Sequence, residues 1–127
     1  MRLYLLVAAG GATGSVLRAW VGSTMLALTG PGFPWGTILI NVVGSFVIGF
    51  FGMLTASDGR FAASSEWRTF VMVGLCGGFT TFSSFSLQTL ELLRDGRPWQ
   101  ALGNVLLSVL LCVAAAALGY GAAAAAR

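Results

Sequence analysis

The chain alternates long apolar stretches with short polar interruptions, and the spacing of the interruptions predicts its elements. Apolar residues dominate positions 3–28, 35–55, 67–93 and 99–125, and each run is long enough to cross a bilayer as a helix. Gly30-Pro31-Gly32 with Pro34 breaks the chain after the first run. Ser57-Asp58-Gly59-Arg60 marks a second turn and Arg94-Asp95-Gly96-Arg97-Pro98 a third. Trp35, Trp67 and Trp99 fall at run ends, where indole rings anchor at the membrane interface. The predicted fold is therefore an all-α membrane protein, one transmembrane domain over residues 1–127 with four helices and both termini on one side. Residues 1–14 open like a signal peptide, with Arg2 ahead of an apolar stretch. That run continues past Arg18 without a clear cleavage site and is read as the first helix.

Composition agrees with this pattern. The 127 residues are 57% hydrophobic and 9% charged, with no charge between Arg18 and Asp58, more apolar surface than a soluble core of this size can hide. Charge adds a second expectation. One side of the predicted topology holds Arg2, Arg60, Arg68 and Arg127 and the other holds Arg94 and Arg97. So small a bias favours a cytoplasmic N-terminus only weakly and lets a chain insert both ways. The expected assembly is an antiparallel, dual-topology homodimer. Gly10 and Gly14, and Ser45 and Gly49, form small-xxx-small pairs that let helices approach closely, either within one chain or between two. No basic cluster suggests nucleic acid, and Cys76 and Cys112 have no metal-ligand spacing.

Polar residues inside the runs are not scattered. Thr37, Asn41, Ser45 and Gly49 recur every four residues, as do Asn104, Ser108 and Cys112, so each set forms one stripe on its helix. The third run adds Thr80, Thr81, Ser83, Ser84, Ser86 and Gln88. Single hydroxyls can bond back to their own helix, but an Asn41 amide offers more than helix backbone can take up. Glu66, Glu91, Asp58 and Asp95 lie in turns or near run ends. The lining thus offers donors without fixed negative charge, which suits an anion. Arg18, four residues after Gly14, adds a cation at membrane depth, as an anion attractor or as a snorkelling side chain. With no His and no acid in the spans there is no evident general base, so an enzyme is not expected.

Residues 74–88 read GLCGGFTTFSSFSLQ, a weak helix former at membrane depth. Two readings are open: a kink filled by hydroxyls, or a break whose freed carbonyls hold a cation. Phe82 and Phe85 stand three apart on one face, either packing or presenting positive ring edges to an anion.

The string Gly77-Gly78-Phe79-Thr80-Thr81-Phe82-Ser83-Ser84-Phe85-Ser86 closely resembles the helix-3 signature of the Fluc (CrcB) fluoride channels. The segment from Trp35 to Phe46, around Asn41, and the segment from Gly10 to Arg18 resemble that family's helix-2 and helix-1 motifs in the same order. The resemblance implies a dual-topology homodimer with two fluoride pores and helix 3 broken near the midplane. It implies a structural Na⁺ at the dimer centre, held by the backbone carbonyls of Gly77 and Thr80 from each chain. Phe82, Phe85 and Asn41 would line the pores, Thr37, Ser84 and Ser108 would add polar contacts, and Arg18 would sit at the vestibule. The implied role is passive fluoride export that protects the cell, from the bacterial inner membrane as a multi-pass protein.

The chain departs from the family pattern at Gln88, where an acid is common, at Ser84 for Thr, at Ala19 for an aromatic, and at Cys112 for a hydroxyl. Two rivals stand against the channel. A small dual-topology multidrug/proton antiporter would need a membrane-embedded carboxylate, commonly on the first helix, and none is present there. A non-transporting assembly subunit explains the glycines but not the polar stripes.

Overall fold

A computed structural model describes residues 1–56 and 61–126, and every regular element among them is helical. The turn expected at residues 57–60 lies outside the described residues, as does Arg127. Three apolar runs each form one helix: α1 (Arg2–Thr29), α2 (Trp35–Leu54) and α6 (Pro98–Ala126). The other run folds in pieces: α3 (Ser65–Arg68), a π-helical segment (Thr69–Cys76), α4 (Gly77–Phe79) and α5 (Phe82–Arg94). With Ser65–Arg94 taken as one span, four helices are long and apolar enough to cross a membrane.

The turns follow backbone chemistry. Gly30 (φ +74°) closes α1, and Gly96 (φ +70°) follows α5 and returns its N–H to Leu93 O at 3.1 Å. Arg97 donates to Gly32 O and so ties these two turns together at one end of the bundle. At the other end Arg2 pairs with Glu66 at 3.3 Å, an exposed contact worth little by itself. Trp35, Trp67 and Trp99 are all exposed near span ends.

The packing is inverted relative to a soluble bundle. Many Leu, Val and Phe side chains point outward along all four spans, while the interior holds small residues and polar groups beside Ile38, Ile40 and Leu92. The largest fully buried side chain is Asn104. Where lipid is as apolar as leucine, contact between helices comes from close backbone approach instead. α2 lies against α6, and α1 lies against the π-helical segment and α4. A Cβ on Gly49 would strike Ala116 O, and one on Gly119 would stand 2.9 Å from Phe50 N. A Cβ on Gly10 would stand 2.6 Å from Phe70 O, and one on Gly78 would stand 2.8 Å from Gly11 Cα. Gly10 and Gly14 on α1 and Gly49 on α2 thus pack closely within the chain, while Ser45 lines a cleft.

Candidate functional site

The site grows from two extended residues. α4 ends at Phe79, after which Thr80 (φ −79°, ψ 160°) and Thr81 (φ −154°, ψ 107°) leave helical geometry, and α5 begins at Phe82. Thr81 caps the new helix: its Oγ1 accepts the Ser84 N–H at 3.2 Å and contacts Ser84 Oγ at 2.9 Å. The backbone of Thr81 is satisfied from another span. Asn41 Oδ1 accepts the Thr81 N–H at 2.8 Å, and Asn41 Nδ2 donates to Thr81 O at 3.1 Å. One amide therefore replaces both of the hydrogen bonds that a backbone neighbour would have supplied. On the same helix Gly44 leaves room for the Thr80 methyl.

These bonds release two carbonyls. In a continuous α-helix the N–H of Thr81 would bond Gly77 O and that of Ser84 would bond Thr80 O. Both N–H groups are turned elsewhere, to Asn41 and to the Thr81 hydroxyl. Gly77 is exposed and Thr80 half-buried, and both stand in the wall of an adjoining cleft. Among the described residues no group of three His, Cys, Asp or Glu could hold a metal; hard backbone oxygens are what this region offers a cation.

Beside the break lies an open cleft of about 430 Å³ between α2, the third span and α6, with Asn41, Ser45, Thr80, Phe82, Phe85 and Ser108 in its wall. Among the described residues no lining residue is charged. The Phe82 and Phe85 rings stand 5.3 Å apart, tilted by 48°, and Phe82 is 77% exposed. A buried network supports them from behind. Ser108 Oγ donates to Asn104 Oδ1 at 3.4 Å, Asn104 Nδ2 donates to Thr89 Oγ1 at 2.9 Å, and the Thr89 hydroxyl donates to Phe85 O at 2.7 Å. Ser108 is thereby linked to the backbone that carries Phe85.

The cleft gathers six of the sequence-predicted positions: Asn41, Phe82, Phe85, Ser108, Gly77 and Thr80. Thr37 lines a separate cavity of about 380 Å³ where α1 and α5 end and α2 begins, together with Gln88, Glu91, Asp95 and Arg97. There Gln88 Oε1 is buried without a hydrogen-bond partner. Ser84 is engaged with Thr81 and lines neither space; Arg18 is half-buried and lines neither. Two roles escaped the sequence reading. Thr81 was legible as a helix start from its spacing to Ser84, and Thr89 gave no signal before its partner on α6 was known.

Residues 5–120 match the model of the family described as CrcB-like protein, Camphor Resistance (CrcB). A protein of Methylocella silvestris named fluoride-specific ion channel FluC is 56% identical over 117 residues, covering 92% of this chain and 89% of its own length. One of the same name from Opitutus terrae is 56% identical over 123 residues, covering 97% of this chain and 93% of its own. Another, from Methylobacterium radiotolerans, is 57% identical over 120 residues, covering 94% and 83%.

Proposed function

This chain belongs to the CrcB family, and from that premise we propose that it is a fluoride-selective channel, passing F⁻ through the cleft beside Thr80 and Thr81. The observation that carries the reading is the lining, which among the described residues holds no charge. The Asn41 amide, the hydroxyls of Ser45, Thr80 and Ser108 and the rings of Phe82 and Phe85 stand among apolar side chains such as Ile48, Val109 and Val113, with no carboxylate to repel an anion or exchange a proton. In the proposed path F⁻ passes Asn41, Phe82, Phe85 and Ser108, with Thr37 and Ser84 as further polar contacts and Arg18 at a vestibule. The Asn41 amide has one N–H left after serving Thr81 O, and ring edges are positive where a ring face is not. Weak donors of this kind hold an anion without trapping it.

The working unit in this proposal is an antiparallel, dual-topology homodimer with two pores. Support comes from the two released carbonyls and from their depth in the span. Thr80 has 15 residues of the span before it and 14 after it, which puts the break near the midplane. Carbonyls without N–H partners are costly there. A Na⁺ held by the carbonyls of Gly77 and Thr80, with the same pair from a second copy, satisfies all four. When bound, the ion supplies positive charge at the centre of the dimer; the chain itself supplies the released oxygens and the Asn41 bonds that keep them released. We place the dimer in the bacterial inner membrane, where it drains cytoplasmic fluoride passively. At about 100 mV one charge is worth about 2.3 kcal/mol, close to a fifty-fold concentration ratio.

Efflux from liposomes tests this. Purified protein is reconstituted with KF inside or KCl inside, and valinomycin carries K⁺. Rapid fluoride release with chloride retained is expected. Retention of both ions would remove the channel reading and return attention to proton-coupled drug transport.

A further inference from the structure

The open spaces along α2 do not end at the cleft. Beyond it, a third cavity of about 430 Å³ is walled by Gly49, Gly52, Arg68 and Tyr120, and it shares Ile48 with the cleft. The three spaces therefore follow one another along α2, from Thr37, through Asn41 and Ser45, to Gly52. Their ends differ in charge. The cavity at Thr37 holds two carboxylates, Glu91 and Asp95, beside Arg97, whereas among the described residues the cavity at Gly52 has Arg68 as its charged wall residue.

Arg68 is half-buried and held in place. Its Nη1 donates to Thr55 Oγ1 at 2.7 Å and to Gly52 O at 3.2 Å, at the C-terminal end of α2. Both bonds use one nitrogen. Among the described residues Nε and Nη2 have no hydrogen-bond partner and no carboxylate pairs with the guanidinium, since Glu66 is taken by Arg2. A guanidinium carries five N–H donors and stays charged at any working pH.

We propose that Arg68 is the anion-collecting cation at this mouth of the path: it raises the local concentration of small hard anions outside the cleft without ligating them inside it. This rests on the channel reading above. It adds a second cation to the Arg18 vestibule proposed above; Arg68 lines one of the three spaces and Arg18 lines none.

An electrostatic collector and a structural clamp answer differently to salt. Attraction across a mouth is screened within about 30 Å at 0.01 M salt and about 3 Å at 1 M. A hydrogen-bonded clamp at the end of α2 has no such dependence. Full-length protein, wild type, Arg68→Gln, Arg68→Lys and Thr55→Val, is compared by fluoride efflux from liposomes. Ionic strength is set by choline sulfate, equal on both sides, with the K⁺ gradient held constant, and thermal midpoints are read on the same preparations.

The expected result is a roughly three- to tenfold loss of initial rate in Arg68→Gln at about 0.01 M salt, shrinking below about twofold at 1 M. Arg68→Lys and Thr55→Val, which keep the charge, retain most of the rate. An Arg68→Gln rate equal to wild type at low salt overturns the inference. So does a loss that is the same at both salts and is shared by Thr55→Val with a lowered midpoint, which would make Arg68 a clamp only. If wild-type protein releases no fluoride, the channel reading fails and this inference falls with it; a conducting wild type with a salt-blind variant sinks this inference alone.

Discussion

The third span contains two regions of opposite construction. Before Thr80, the π-helical segment and α4 meet α1 backbone to backbone, with Gly74 and Gly78 against Gly10 and Gly11 and no side chain between them. After Thr81, α5 carries large and polar side chains, with Phe82 exposed and Phe85 and Gln88 each in the wall of a cavity. The first half holds the bundle together by approach distance. The second half leaves space, and the extended pair Thr80 and Thr81 separates the two within one span. On this span Gly74 and Gly78 mark where the protein is closed, and Phe82 and Phe85 mark where it stays open.

The largest effect is expected where the closed half is forced apart. A Cβ at Gly14 would strike Leu75 O and lie 2.7 Å from Phe79 N, and backbone cannot step aside as a side chain can. Overpacking costs about 1–3 kcal/mol in ordinary cores and more against fixed backbone. Gly14→Ala and Gly78→Ala should therefore yield little monodisperse protein in detergent, or protein melting far below wild type. Gly103 has nothing within 4 Å of its Cβ position, and Gly103→Ala should melt at or above the wild-type temperature. A wild-type melting curve for Gly14→Ala would erase the distinction between the two halves.

Asn41 joins the halves and comes next. Asn41→Ala leaves the N–H and C=O of Thr81 unpaired, each costing about 1–3 kcal/mol. Asn41→Asp keeps an acceptor for the N–H but sets a carboxylate against Thr81 O and beside the proposed anion path. Ala should lower the melting temperature most, and Asp should cut fluoride flux at least tenfold with a smaller loss of stability. Undiminished flux in Asn41→Asp would take Asn41 out of the path and leave it as the residue that holds the break.

The contrast between the halves was only partly legible in the sequence. Four spans were readable because bilayer thickness sets a length that apolar runs must meet, and Gly30 and Gly96 announced their turns. What the sequence withheld was pairing. Asn41 was visible as an amide with surplus donors, but that it bonds Thr81, 40 residues away, follows from how α2 lies on the third span. The same holds for Gly10 and Gly14, whose spacing fits a partner in the same chain or another equally well. The π-helical turn at Thr69–Cys76 had no signature, since its apolar residues suit an α-helix as readily. The wall beside Arg68 is built by α6 and α2 together and has no local pattern.

Removing Na⁺ probes the break without touching the closed half. If Gly77 and Thr80 hold the ion between two copies, dialysis into Na⁺-free buffer should lower the dimer fraction and the flux together, and added Na⁺ should restore both. Stability of the single chain should change less, because the Asn41 and Thr81 bonds that shape the break remain. Full flux and an intact dimer without Na⁺ would remove the cation from the site.

The smallest structural effect, and the narrowest functional one, belongs to the aromatic pair. Phe82 is mostly exposed in the single chain, so Phe82→Ile removes little packing and should shift stability by about 0.5 kcal/mol or less. Phe85→Ile loses the neighbouring ring at 5.3 Å but keeps an apolar side chain against the cleft wall. Isoleucine preserves bulk and hydrophobicity in both cases. What it lacks is a ring edge with positive character, the only electrostatic feature these positions offer an anion. Fluoride efflux should therefore fall severalfold in each variant while size-exclusion profile and melting temperature stay near wild type. Normal flux in both variants would mean that the rings only fill space, and the open half of the third span would then owe its conduction to hydroxyls and amides alone.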